Sequence, residues 1–84
     1  MDPDDLRVYL ERGGMKLEEC DIDHIIPWRA FKQWGDVDEP FYQEAFVNYR
    51  NMQLLPPAQN ASKGGRCTEE EFDVYIEWFA SETM

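Results

Sequence analysis

Asp21-Ile22-Asp23-His24-Ile25-Ile26-Pro27 and, further on, Asn51-Met52-Gln53-Leu54-Leu55-Pro56-Pro57-Ala58-Gln59-Asn60-Ala61-Ser62-Lys63-Gly64-Gly65-Arg66 are the two stretches from which the rest of the chain can be placed. The first ends a run, Met15 to Ile26, that reads as extended structure, with Leu17, Ile22, Ile25 and Ile26 separated by charged residues. Pro27 closes it, because a residue without an N–H cannot serve a central ladder. The second stretch has strand character from Met52 to Leu55, turns at Pro56-Pro57 and continues as a short helix from about Pro57 to Lys63, shut off by Gly64-Gly65. Between them the two stretches hold the only histidine of the protein, a carboxylate immediately before it, and two asparagines, Asn51 and Asn60.

Outward from this centre the chain reads as helices. Asp2-Pro3 followed by Asp4 and Asp5 is a helix start, with Asp2 as cap, proline at the first position and acids at the positive end of the dipole. Leu6, Tyr9 and Leu10 then share a face and Gly13-Gly14 ends the helix. Trp28, Phe31 and Trp34 fall at helical spacing before a Gly35-Asp36 turn, and Pro40 opens a further helix through Phe41, Tyr42, Ala45 and Phe46. These aromatics read as core and not as a base-stacking surface. Thr68 with Glu71 forms a capping box that opens a last helix, in which Phe72, Tyr75, Ile76 and Phe79 share a face and the opposite side is acidic.

The expected class is therefore α+β, one domain over residues 1 to 84: two strand-like runs and a short helix over about 15 to 66, flanked by helices at about 2 to 13 and 68 to 82. An 84-residue chain is near the lower end of what an uncrosslinked core supports, and its twelve aromatics supply much of the burial. Cys20 and Cys67 could pair, but they read as reduced thiols. Neither belongs to a C-x-x-C pair and there is no second histidine, so no structural zinc is expected. With no membrane-length apolar run and no signal-peptide pattern, the expected setting is intracellular, cytoplasmic or nuclear, with the chain a monomer.

The net charge is −10. Residues 1 to 22 carry 7 acids and 3 bases (−4), residues 23 to 66 carry 5 of each (0), and residues 67 to 84 carry 6 acids and no base (−6). The acidity thus lies in the flanks, and the central segment keeps Arg29, Lys32, Arg50, Lys63 and Arg66.

Asp-His-Ile-Ile-Pro at Asp23 to Pro27, Asn-Met-Gln-Leu-Leu at Asn51 to Leu55 and Asn-Ala-Ser-Lys-Gly at Asn60 to Gly64 together resemble the HNH endonucleases of the ββα-metal type. The likeness covers roughly residues 17 to 66. It departs from the family's pattern at Pro56-Pro57, where a more usual pair is aromatic or apolar. The resemblance implies a ββα-metal core, a two-stranded antiparallel hairpin plus a short helix over about 15 to 66, and a DNA endonuclease or nickase. His24 would be the general base, and Asp23 and Asn60 would hold a Mg²⁺-type ion for which Mn²⁺ substitutes. Asn51 would support catalysis by holding the loop and orienting the histidine, and Lys63 would point toward a phosphate, with Arg66 and Arg29 as further phosphate contacts. The chemistry suits those residues: phosphodiester hydrolysis needs an activated water and charge neutralisation, and a neutral imidazole and a hard cation supply them. Regular pleating would put Asp23 and His24 on opposite faces, so the strand must twist or end there.

A second reading is an inactive HNH-fold binding module whose acidic flanks engage a basic protein partner. The charge distribution favours that reading more than the motif does, because like charge near a cleft slows DNA capture.

Overall fold

The computed structural model describes residues 2 to 83. Asp2 caps helix α1 (Pro3–Leu10), its carboxylate accepting from the Asp4 N–H at 2.8 Å. A 3-10 turn (Glu11–Gly13) ends at Gly14, whose φ of 92° suits glycine. The chain continues through a second 3-10 turn (Leu17–Glu19), strand β1 (Asp21–His24), helix α2 (Trp28–Trp34), helix α3 (Pro40–Val47), a 3-10 turn (Tyr49–Asn51), strand β2 (Met52–Leu55), helix α4 (Pro57–Lys63) and helix α5 (Glu69–Thr83). The class is α+β, with β1 and β2 antiparallel as expected.

The first strand is shorter than the extended run expected from Met15. Two causes act. The Leu17 N–H is captured by the Glu11 carboxylate at 2.7 Å, which helps to fold Leu17–Glu19 into a turn. The register, Asp21↔Leu55 to His24↔Met52, also leaves Cys20 facing Pro56, which has no N–H to donate. Strand length is thus set by the partner.

The core lies between the helices. Ile26, Ala30, Phe31, Ala45, Phe72 and Phe79 form its buried centre, with Trp34, Phe41, Tyr42, Phe46, Tyr75 and Ile76 packed around them. Phe31 is fully buried and meets Phe46 and Phe72 edge-to-face at 5.5 and 5.2 Å. Thr68 opens α5 as expected: its hydroxyl accepts from the Glu71 N–H and donates to the Glu71 carboxylate, each at 3.1 Å. The Tyr75 hydroxyl donates to the Ala45 carbonyl at 2.6 Å, tying α5 to α3, and burial pushes its pKa up to about 12. Among the described residues no helix is long and apolar enough to cross a membrane.

Candidate functional site

The site begins with a match of two periodicities. On β1, residues two apart share a face, which puts Asp21 and Asp23 roughly 6.6 Å apart along one side of the hairpin. On α4, Asn60 and Lys63 are three apart and so share a face roughly one turn apart. Helix α4 lies against β1, and the two pairs meet. The Asn60 carboxamide N–H donates to Asp21 Oδ2 at 3.1 Å, and Lys63 Nζ donates to Asp23 Oδ2 at 2.6 Å.

Asp23 is 7% exposed and Lys63 is partly buried, so the carboxylate sits where an unpaired charge would be costly. Gln53, directly opposite Asp23 in the ladder, donates from Nε2 to the same Oδ2 at 2.9 Å. Lys63 also donates to the His24 carbonyl at 3.1 Å, which binds the end of α4 to the end of β1. Gly64 ends the helix with φ 58°, a backbone state that glycine takes without Cβ strain.

His24 leaves the strand on the other side of the pleat from Asp23. Its imidazole is half-buried and stacked on Phe46, with centroids 4.2 Å apart and planes 11° from parallel. Burial lowers its pKa below the ordinary histidine value, while Asp23 raises it and Lys63 lowers it further. The net direction is down. The ring is therefore neutral at pH 7 and keeps a lone pair that can accept a proton. Because β1 ends at His24, the pleat alternation places Asp23 and His24 on two sides of one strand terminus, close enough for their charges to interact.

Asn51 is fully buried, with no solvent exposure at all. Its Oδ1 accepts from the Ile26 N–H at 2.7 Å, and its Nδ2 donates to the carbonyls of Ile26 and Phe46, each at 3.0 Å. Its own carbonyl accepts from the Ile25 N–H at 2.8 Å. One side chain thus joins the exit of β1 to the end of α3 and fixes Phe46 relative to His24. Asn51 is a positioning residue that works through the backbone.

No family model, curated protein or solved structure matches this chain.

The three basic residues expected to face phosphate are placed differently from one another. Lys63 enters the site, but its ammonium is engaged by Asp23 and not free. Arg66 folds back over the end of α4, donating to the carbonyls of Lys63 and Ser62 at 3.0 and 2.5 Å, so its guanidinium caps a helix. Arg29 takes part in none of the ion pairs among the described residues. Its stem lies beside Gly65, and with Arg66 it lines a 390 Å³ pocket that also includes Gln33 and Trp34.

Among the described residues no group of three His, Cys, Asp or Glu side chains is arranged to cage a metal. The fitting donors are oxygens of another kind. The Asn60 carboxamide uses its nitrogen on Asp21, and its oxygen takes part in none of the side-chain hydrogen bonds among the described residues. Asp23 uses Oδ2 for Lys63 and Gln53 and leaves Oδ1. Two hard oxygens completed by water suit Mg²⁺, which keeps most of its hydration.

Three residues of the site were not singled out from sequence: Asp21, Gln53 and Phe46. The first two had a signal. Asp21 is two residues before Asp23 in a strand, and Gln53 becomes its cross-strand partner once the register is set. Phe46 had none, since its place over His24 depends on how α3 returns to the hairpin.

Proposed function

We propose that the chain is a metal-dependent DNA endonuclease or nicking domain of the HNH kind, with β1, β2 and α4 as its ββα core. One observation carries the reading: Asn60 and Lys63 of α4 are seated on Asp21 and Asp23 of β1, beside a histidine kept neutral by burial. Asp23 and Asn60 would hold the divalent ion. When bound, the ion neutralises charge on the phosphate and on the departing oxygen.

The chain's own residues do the rest. His24 takes a proton from water as the water oxygen bonds to phosphorus. The P–O bond to the leaving oxygen breaks, and a solvent proton completes the departing hydroxyl. Phe46 holds the imidazole plane, and Asn51 holds Phe46. Asp21 holds the Asn60 carboxamide by accepting from its Nδ2. Lys63 brings positive charge to the same end of the site, and Arg29 offers a further phosphate contact.

The second reading, an inactive binding module, is favoured by the six acids and no base of residues 67 to 84. Incubation with supercoiled plasmid and Mg²⁺ or Mn²⁺ decides between them. Nicked or linear product that disappears with a chelator and with His24→Ala supports the nuclease. Intact plasmid at every metal concentration supports the binding module.

A further inference from the structure

A groove of about 710 Å³ runs between α5 and the exit of β1. Its walls include Ile25, Val74, Tyr75 and Trp78, and its charged lining is Glu70, Glu71 and Arg50. The core uses the α5 face of Phe72, Tyr75, Ile76 and Phe79, so Val74 belongs to a second, unpartnered stripe and is 61% exposed. Ile25 faces it across the groove and is 38% exposed. Helical spacing puts Glu70, Glu71, Glu77 and Trp78 around Val74, at three or four residues either side. An apolar floor shared by α5 and Ile25 thus carries Glu70 and Glu71 at its edge, with Glu77 on the same side of the helix just beyond the groove.

We infer that this groove docks a basic, amphipathic segment of a protein partner. Charge complementarity selects that occupant. Residues 67 to 84 hold six acids and no base, which repels nucleic acid. A second copy would bring the same −10 charge. Arg50 also lines the groove, with its guanidinium over the Trp78 ring at 5.5 Å, so the lining sets two carboxylates against one cation and stays net negative. A segment with apolar residues at helical spacing and Lys or Arg between them fills the floor and neutralises the rim together. The inference rests on the second reading, that of a binding module, and not on the nuclease reading: Asn51 lines the groove, but none of Asp23, Asn60, Lys63, Arg66 and Arg29 does.

The test uses the full chain and two synthetic peptides of Leu and Lys with identical composition, one patterned as an amphipathic helix and one scrambled. Binding is followed by tryptophan fluorescence and by amide chemical-shift changes, without metal or DNA. The patterned peptide is expected to bind about tenfold tighter than the scrambled one, with shifts at Ile25, Val74 and Trp78. Val74→Asp is expected to lose about tenfold, as is Glu70→Gln combined with Glu77→Gln. Asp4→Asn combined with Asp5→Asn removes the same charge from α1 and is expected to change nothing. Equal binding of the two peptides, equal loss in the α1 variant, or self-association abolished by Val74→Asp would overturn the proposal.

Discussion

Asn51→Ala removes one side chain and strands three backbone groups. The Ile26 N–H and C=O and the Phe46 C=O lose their partner at 2.7, 3.0 and 3.0 Å. Ile26 is 3% exposed and Asn51 fully buried, so water cannot replace the amide without opening the core. An orphaned buried polar group costs about 1–3 kcal/mol. Three such groups, with partial relaxation of the Phe46 carbonyl, give a loss of about 3–6 kcal/mol. A domain of this size is worth roughly 4–13 kcal/mol in all. At the middle of both ranges the urea midpoint, followed by tryptophan fluorescence, should fall by about half. Asn51→Asp is the informative partner. It keeps an acceptor for the Ile26 N–H but turns a carboxylate oxygen on two carbonyls, so it should be no more stable than alanine. A loss below about 1 kcal/mol in Asn51→Ala, or a stable Asn51→Asp, would refute the clamp.

Lys63→Ala leaves Asp23 buried without its cation; because Lys63 is partly exposed, the expected loss is about 1–3 kcal/mol in chemical denaturation, below the full cost of breaking a buried pair. Lys63→Ala combined with Asp23→Asn should recover part of it. The pKa of His24 is lowered in the folded state, so the folded chain binds fewer protons than the unfolded one near that pKa. Stability attributable to His24 is present above the unfolded value and is lost as pH falls through the folded one. Phe46→Ala should move the imidazole pKa back toward the ordinary value, as read by NMR titration of the ring protons. DNA binding should be weak and fall as salt rises, since few cations face the site; neutralising Glu69, Glu70 and Glu77 should speed cleavage at low salt only. Unchanged rates would mean that α5 faces away from the DNA path.

Local chemistry was legible in the sequence where one or two neighbouring residues decide it. Asp2-Pro3 starts α1, Thr68 with Glu71 starts α5, and Pro57 to Gly64 bounds α4, because caps and prolines act within a turn of chain. The two strands were legible as runs, and their antiparallel pairing was expected from the family resemblance alone. What failed were the properties set by a distant partner. β1 could not extend back to Met15 because β2 ends at prolines, and Lys63 could not be assigned to Asp23 until α4 was laid on β1. Arg66 turned to the carbonyls of its own helix end, a nearer target than a phosphate. Regular pleating would set Asp23 and His24 on opposite faces, and a joint site required the strand to twist or end there; β1 does end at His24, with His24 still inside the strand.

The division of labour at the site is tested most directly by calorimetric titration with Mn²⁺ of the parent protein, His24→Ala, Asn60→Ala and Asp23→Ala, each first shown to be folded by circular dichroism. If His24 is the base and the oxygens of Asp23 and Asn60 hold the ion, His24→Ala binds Mn²⁺ like the parent, while the other two bind at least tenfold more weakly. Loss of Mn²⁺ binding in His24→Ala with binding intact in Asn60→Ala would make the histidine a ligand and contradict the proposed site.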